Sequence, residues 1–174
     1  LGEADIVIYA GSLVNPALLS LVKQGAQVYN SASMTLEEVI TVMLEGVQNN
    51  KMVVRLHTGD PSIYGAIQEQ MDELNKHNIE YKVIPGVSSF LATAAALKQE
   101  YTLPDVSQTV IVTRIEGRTP VPEKESLASL ASHNATMCIF LSVHMIEEVV
   151  TELIKGGYTE TTPIAIVQKA SWPE

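Results

Sequence analysis

Cysteine is nearly absent: Cys138 is the only one in 174 residues. A single thiol forms no internal disulfide and no cysteine metal cluster, so a reducing cytoplasm is the expected compartment. Its place inside the apolar run "TMCIFL" (136–141) marks it as buried and inert. Positive charge is scarce as well. Eleven Lys and Arg face 20 Asp and Glu, a formal net charge of −9. That balance favours solubility and argues against nucleic-acid backbones and anionic membranes as main partners. Long apolar runs are missing; "DIVIYAG" and "TPIAIV" have strand length and fall far short of a bilayer span. The chain opens on Leu1 rather than Met, and a strand-like run follows at once, so the expectation is a fragment of a longer protein with no signal peptide.

Several chemistries lack their residues. There is no G-x-x-x-x-G-K-[ST], which removes a P-loop, and no G-x-G-x-x-G, the usual dinucleotide fingerprint. No G-x-S-x-G elbow exists, so an α/β-hydrolase is excluded as a reading. His57, His77, His133 and His144 are scattered without an H-x-x-x-H pair, and no metal held by the protein is expected. His57 and Asp60 are close enough in sequence to form an acid–base pair.

What is present is a well-apolar chain, 46% hydrophobic and 18% charged, with mean hydropathy +0.14. Such a composition folds rather than staying disordered. Strand-like runs alternate with helical periods. "DIVIYA" (5–10), "QVYN" (27–30), "MVVRLH" (52–57) and "EYKVIP" (80–85) read as strands. Between them lie a helix around Pro16–Val22, a helix carrying Leu36, Val39, Ile40, Met43, Leu44 and Val47, and one with Ile63, Ile67, Met71 and Leu74 on a single face. Thr35 with Glu38 three residues later is a capping box. The small-residue helix "SSFLATAAAL" follows. This is the β-α alternation of a mainly parallel sheet with helices on its faces.

After "KQEYTLPDVSQ" (98–108) the pattern restarts. "TVIVTR" (109–114), "TMCIFL" (136–141) and "TPIAIV" (162–167) read as strands, with a helix from about Glu123 to Ser132 and another over Ile146, Val149, Val150 and Leu153. Gly156-Gly157 stops the latter. The expected architecture is therefore two α/β domains, 1–106 and 107–174, the second of mixed α/β type and incomplete.

In open α/β sheets, ligands sit beyond the carboxyl ends of the strands. Three segments hold that position: "HTGDPSIYG", "PGVSS" (85–89), and "FLS" (140–142) with "VQKAS" (167–171). Helix-start chemistry alone accounts for much of the first, with Asp60 as N-cap and Pro61 at N1. Together these segments offer backbone groups and few charges. Such a surface suits a cofactor recognised by hydrogen bonds rather than by phosphate capture.

The stretches "ADIVIYAGSLVNP", "LHTGDPSIYGAIQEQ", "VIPGVSSFLATAAAL" and "TRIEGRTPVPEKESLASLASHNATMCIFLS", in this order, resemble the tetrapyrrole (corrin/porphyrin) methylase family over essentially the whole chain. "GDPSIYGAIQEQ" and "EGRTPVPE" through "ATMCIFLS" resemble its branch acting at ring carbon C-11 of precorrin-4 in cobalamin synthesis. The resemblance implies a two-domain α/β enzyme, usually a homodimer, that binds S-adenosylmethionine (SAM) in the cleft between its domains and releases S-adenosylhomocysteine. By motif it places Thr58, Gly59, Asp60, Ile63, Ser88, Ser89, Leu141 and Ala170 at the cofactor. Leu141 stands where the family often has Met. The family's N-terminal glycine-rich loop and a C-terminal strand segment have no counterpart in this sequence.

Methyl transfer from a sulfonium to a ring carbon is an in-line displacement that needs positioning above all. Asp60 is therefore expected to bind cofactor or shape its loop rather than act as a base. The implied corrinoid carries several carboxylates, so local cations must meet it. Arg55, Arg114, Arg118 and Lys169 are available, and "TRIEGRTP" is the densest basic stretch; Arg114 and Arg118 are the expected substrate contacts. Whether cobalt is already in the substrate is not legible from these residues.

Overall fold

Five short strands, all paired in parallel, carry the fold among the described residues. The computed structural model describes residues 1–117 and 119–172. The chain divides into two compact units, Leu1–Leu91 with Trp172, and Ala92–Ser171.

In the first unit, β1 (Ile6–Tyr9), β2 (Gln27–Asn30) and β3 (Val53–Leu56) form a parallel sheet in the order β2-β1-β3. Ile6 pairs with Gln27 on one side and Val53 on the other. The central strand is sheathed on both faces: Ile6, Val7 and Ile8 are all buried. That is why its residues run apolar without alternation. A 3-10 segment, Pro16–Leu21, replaces the expected first helix, capped by Asn15, whose side chain accepts from Ala17 N.

Helix α1 (Leu36–Gln48) begins as its residues dictate. Thr35 Oγ1 accepts from Glu38 N, and Glu38 Oε2 accepts from Thr35 N, a closed capping box. Val39, Ile40 and Met43 pack on Ile6 and Ile8 to make the core of this unit. Gly46 lets α1 lie against the sheet: a Cβ there would meet Val53 Cγ2 at 2.6 Å and Ile6 Cδ1 at 2.9 Å. Helix α2 (Gln68–Lys76) sends Leu74 to the same core.

Two further expectations fail in this unit. The amphipathic helix does not start at Pro61; it starts at Gln68, because Tyr64 (φ 55°) and Ala66 (φ 50°) take left-handed backbone that no α-helix accommodates. "EYKVIP" joins no sheet. Val83, Ile84 and Val87 are exposed, Ile84 by 72%. β-branched residues favour extended backbone, but a strand exists only where a neighbour pairs with it, and none among the described residues does.

Helix α3 (Ser89–Leu97) leads into the second unit. There β4 (Val110–Arg114) and β5 (Thr136–Phe140) pair in parallel, Val110 against Thr136 through Arg114 against Phe140. Helix α4 (Leu127–Ala131) is capped by Ser126, and α5 (Ile146–Gly156) ends at Gly157, whose φ of 123° only glycine tolerates well. Ile115, Leu127 and Val149 form the core here, with Met137, Ile139, Met145 and Leu153 around it. The helix expected over 123–132 is split: a 3-10 turn (Glu123–Glu125) precedes α4. "TPIAIV" forms no strand among the described residues; Ile164 and Ile166 are exposed for the same want of a pairing neighbour. The architecture is α/β with parallel sheets, as the alternation predicts.

Candidate functional site

The turn after β3 is built on Asp60. Its Oδ1 accepts from Ser62 N at 2.8 Å, the side-chain-to-backbone bond of an Asx turn. Its Oδ2 accepts from Gly86 N at 2.9 Å, across 26 residues of chain. One carboxylate therefore joins the Gly-Asp-Pro turn to the Pro-Gly turn. The Gly86 amide first, and Ser62 after it, hold the carboxyl below its usual range, so it stays ionised.

Glycine makes this approach feasible. A Cβ on Gly86 would lie 2.2 Å from Gly59 O, and one on Gly59 would lie 3.3 Å from Ser88 Cα. Gly59 also has φ +64°. The two turns thus meet backbone to backbone. Of the residues expected here, Thr58, Gly59, Ile63 and Ser89 are exposed, Asp60 is half-buried and Ser88 is buried. The structure brings these six together in the first unit. Beside them a cleft of about 300 Å³ is lined by Pro61, Ser62, Tyr64, Gly65, Ala66 and Ile67, among others. A wider groove of about 660 Å³ beside β2 and α1 holds none of the predicted residues.

His57, directly before the turn, makes no bond with Asp60, whose oxygens are committed to the two amides. Its Nε2 is enclosed without a partner. Burial, with the Arg55 charge nearby, brings its pKa down to about 4. Arg55 itself is tied inward: Nε donates to Gln70 Oε1 at 3.1 Å and Nη1 to Ile8 O at 3.1 Å. Gln70, only 8% exposed, is a polar residue that sequence reasoning passed over; its amide also donates to Ala66 O and so braces the turn.

In the second unit, Leu141 follows β5 with φ 56° and is 61% exposed. A branched residue in left-handed backbone is strained, and such strain gathers at functional positions. Ser142 holds it there: the buried hydroxyl accepts from Ile115 N at 3.1 Å and donates to Phe140 O, bridging the ends of β4 and β5. Ala170 lies in an exposed turn. Arg114 commits three donations to its own loop, from Nη1 to Ile115 O and Thr119 O and from Nη2 to Pro120 O. Arg118, the other expected substrate contact, lies outside the described residues.

These surfaces present peptide groups, small side chains and one fixed carboxylate. They can bind and orient a polar ligand; nothing among them is set up as a nucleophile. Comparison with known proteins gives this arrangement a family. The family profile described as Tetrapyrrole (Corrin/Porphyrin) Methylases matches residues 1–174. The cobalt-precorrin-4 C(11)-methyltransferase of Methanocaldococcus jannaschii is 63% identical over 172 residues, which cover 99% of this chain and 66% of that protein. The protein of the same name from Priestia megaterium is 49% identical over 174 residues, covering 100% and 67%. The chain thus spans about two thirds of the length of these relatives. An X-ray structure of a cobalt precorrin-4 methyltransferase, described as a cobalamin biosynthetic enzyme, superposes with a TM-score of 0.96 at 49% identity, over 100% of this chain and 73% of the other. The chain belongs to the tetrapyrrole (corrin/porphyrin) methylase family.

Proposed function

We propose that this chain is the matched part of a cobalt-precorrin-4 C(11)-methyltransferase, transferring a methyl group from SAM to ring carbon C-11 of the tetrapyrrole and leaving S-adenosylhomocysteine. Likeness along the whole chain to relatives of that name supports the reaction. The joined turns at Asp60 are the observation that carries the cofactor's placement.

The residues present fit SAM. Gly59 and Gly86 let the two turns pack backbone to backbone, and the exposed Thr58, Gly59 and Ser89 beside that contact offer peptide and hydroxyl groups to an adenosyl and amino-acid moiety. An ionised Asp60 suits a ligand bearing a positive sulfonium. SAM supplies an electrophilic methyl group on that sulfonium. We assign Thr58, Gly59, Asp60, Ile63, Ser88 and Ser89 to the cofactor in the first unit, and Leu141 and Ala170 as contact positions of the second. Asp60 acts by holding the loops, since both its oxygens already accept amide protons. Fixing donor and acceptor in a near-attack pose is worth up to about 7–11 kcal/mol, enough to make positioning the main contribution of these residues.

Arg114 and Arg118 are proposed to meet the corrinoid carboxylates. Arg114 has donors left for this after serving its loop, and that same loop service fixes where the guanidinium stands. The domain division at 106/107 and a cytoplasmic location belong to the same reading and rest on the sequence pattern and the single Cys138, and the homodimer rests on the family resemblance alone. Among the described residues no helix is long and apolar enough to cross a membrane.

The test is SAM binding by calorimetry and turnover with cobalt-precorrin-4 in the full-length protein, with product mass and NMR locating the new methyl group. Asp60→Ala is expected to weaken SAM binding about tenfold or more, because an unsupported turn must be ordered on binding. Unchanged affinity in that variant would remove Asp60 from the cofactor site, and a methyl at another ring carbon would move the enzyme to a different branch.

A further inference from the structure

The one buried residue of α2 is a glutamine. Gln70 uses both ends of its amide: Oε1 accepts from Arg55 Nε at 3.1 Å, and Nε2 donates to Ala66 O at 3.0 Å. Arg55 in turn donates from Nη1 to Ile8 O of the central strand. A line of three hydrogen bonds therefore runs from the sheet, through Gln70, to the loop ahead of α2. The choice of residue is informative. A carboxylate is the stronger partner for a half-buried guanidinium, yet no acid pairs with Arg55 among the described residues. Ionised glutamate has the same length but no proton to give, and would leave Ala66 O unserved; glutamine accepts and donates at once. The position forgoes an ion pair and gains a hold on Ala66.

What it holds is strained. Tyr64 and Ala66 have φ of 55° and 50°, and between them a Cβ on Gly65 would lie 2.0 Å from Pro61 O. Left-handed backbone at non-glycine residues persists only where the surroundings enforce it, and it gathers at functional positions. This folded-back segment, 61–67, walls the cleft of about 300 Å³ that follows the carboxyl end of β3, where ligands of parallel sheets bind. No charged side chain lines that cleft, and its volume admits one edge of a macrocycle rather than the whole.

We propose that Gln70 is a positioning residue of the methylation: through Ala66 O it fixes the wall against which an edge of the tetrapyrrole rests during methyl transfer. The inference rests on the proposed reading of the chain as a C-methyltransferase. Gln70 does not itself line the cleft. Its effect is on where the acceptor carbon stands relative to the sulfonium methyl, and in-line displacement makes the rate steep in that placement. The cofactor turn is held by other bonds, since Ser62 and Gly86 are the partners of Asp60. Loss of the grip on Ala66 is therefore felt in turnover and not in SAM binding.

The experiment compares Gln70→Glu and Gln70→Met in the full-length protein. Gln70→Glu keeps a partner for Arg55 and withdraws the donor from Ala66 O; Gln70→Met withdraws both. With saturating SAM and cobalt-precorrin-4, kcat is expected to fall about 10- to 100-fold in each variant. The corrinoid KM, and SAM affinity by calorimetry, should change little. Amide hydrogen exchange in Gln70→Glu should quicken over 61–67 and stay as in the wild type over β3 and the rest of α2. A wild-type kcat in Gln70→Glu overturns the proposal, even if Gln70→Met is inactive, because the hold on Ala66 would then be idle. So does a rise in corrinoid KM at unchanged kcat, which would make the wall a binding surface only. A loss of kcat matched by lost SAM affinity, or by faster exchange throughout β3 and α2, would make Gln70 structural and overturns it too. Wild-type protein that binds SAM but methylates none of the corrin intermediates would instead refute the underlying methyltransferase reading.

Discussion

Asp60 and His57 stand three residues apart and are kept in fixed charge states by opposite means. Backbone amides hold Asp60 ionised, whereas burial beside Arg55 holds His57 neutral. For His57 this has a measurable consequence. An ordinary histidine has a pKa of 6.5, and in the fold this one is lowered to about 4. Between those values the unfolded chain binds the proton and the folded chain does not, so stability rises with pH across that window. The contribution is complete above pH 6.5, is lost as pH falls toward 4, and changes no further below that. Denaturation of the wild type in urea is expected to show this slope between the two pH values, and His57→Gln to flatten it. An identical slope in the variant would assign the acid sensitivity to other groups.

At the scale of elements, two glycines show how close approach depends on what lies opposite. On Gly156 of α5, a Cβ would meet Ala128 O at 2.3 Å and Ala131 Cβ at 2.4 Å, both rigid parts of α4. On Gly46 of α1, the opposing atoms are the tips of Val53 and Ile6. Core side chains can give way by a small repacking, at a cost; a helix backbone cannot. Gly156→Ala is therefore expected to destabilise the second unit by about 1–3 kcal/mol, and Gly46→Ala by less, as read from urea midpoints of each variant. The same contrast between local and distant causes decides what the sequence reveals. "QVYN" and the Thr35–Glu38 box are local and appear where the residues put them. The helix expected from Pro61 is delayed because Tyr64 and Ala66 adopt left-handed backbone, for which their side chains give no sign. "EYKVIP" and "TPIAIV" carry strand composition without a neighbour, and pairing is a property of two segments, not one. For the candidate site, Gly-Asp-Pro and Pro-Gly were legible as separate turns. The bond from Gly86 N to Asp60 Oδ2 that joins them spans 26 residues and leaves no periodic trace.

For the molecule as a whole, charge is the property that the proposed substrate makes consequential. The chain carries −9 with a sequence pI near 4.9, and a corrinoid bearing several carboxylates approaches it against that field. Arg55 cannot soften the encounter, because its guanidinium is half-buried and bonded to Gln70 and Ile8 O. Arg114 already spends three donations on its loop, so its pull acts at short range. Encounter is then opposed over long distances and favoured only at contact. Salt separates these ranges: the screening length shrinks from about 30 Å at 0.01 M to about 8 Å at 0.15 M ionic strength. Repulsion over the surface is therefore screened before a guanidinium–carboxylate pair at contact distance is. In the full-length protein, kcat/KM for cobalt-precorrin-4 is expected to rise as salt is raised across this interval, while SAM binding, which in the proposed site brings a positive sulfonium to Asp60, should weaken slightly. A kcat/KM that falls steeply with salt would mean that a concentrated cationic surface, and not contact pairing alone, recruits the substrate.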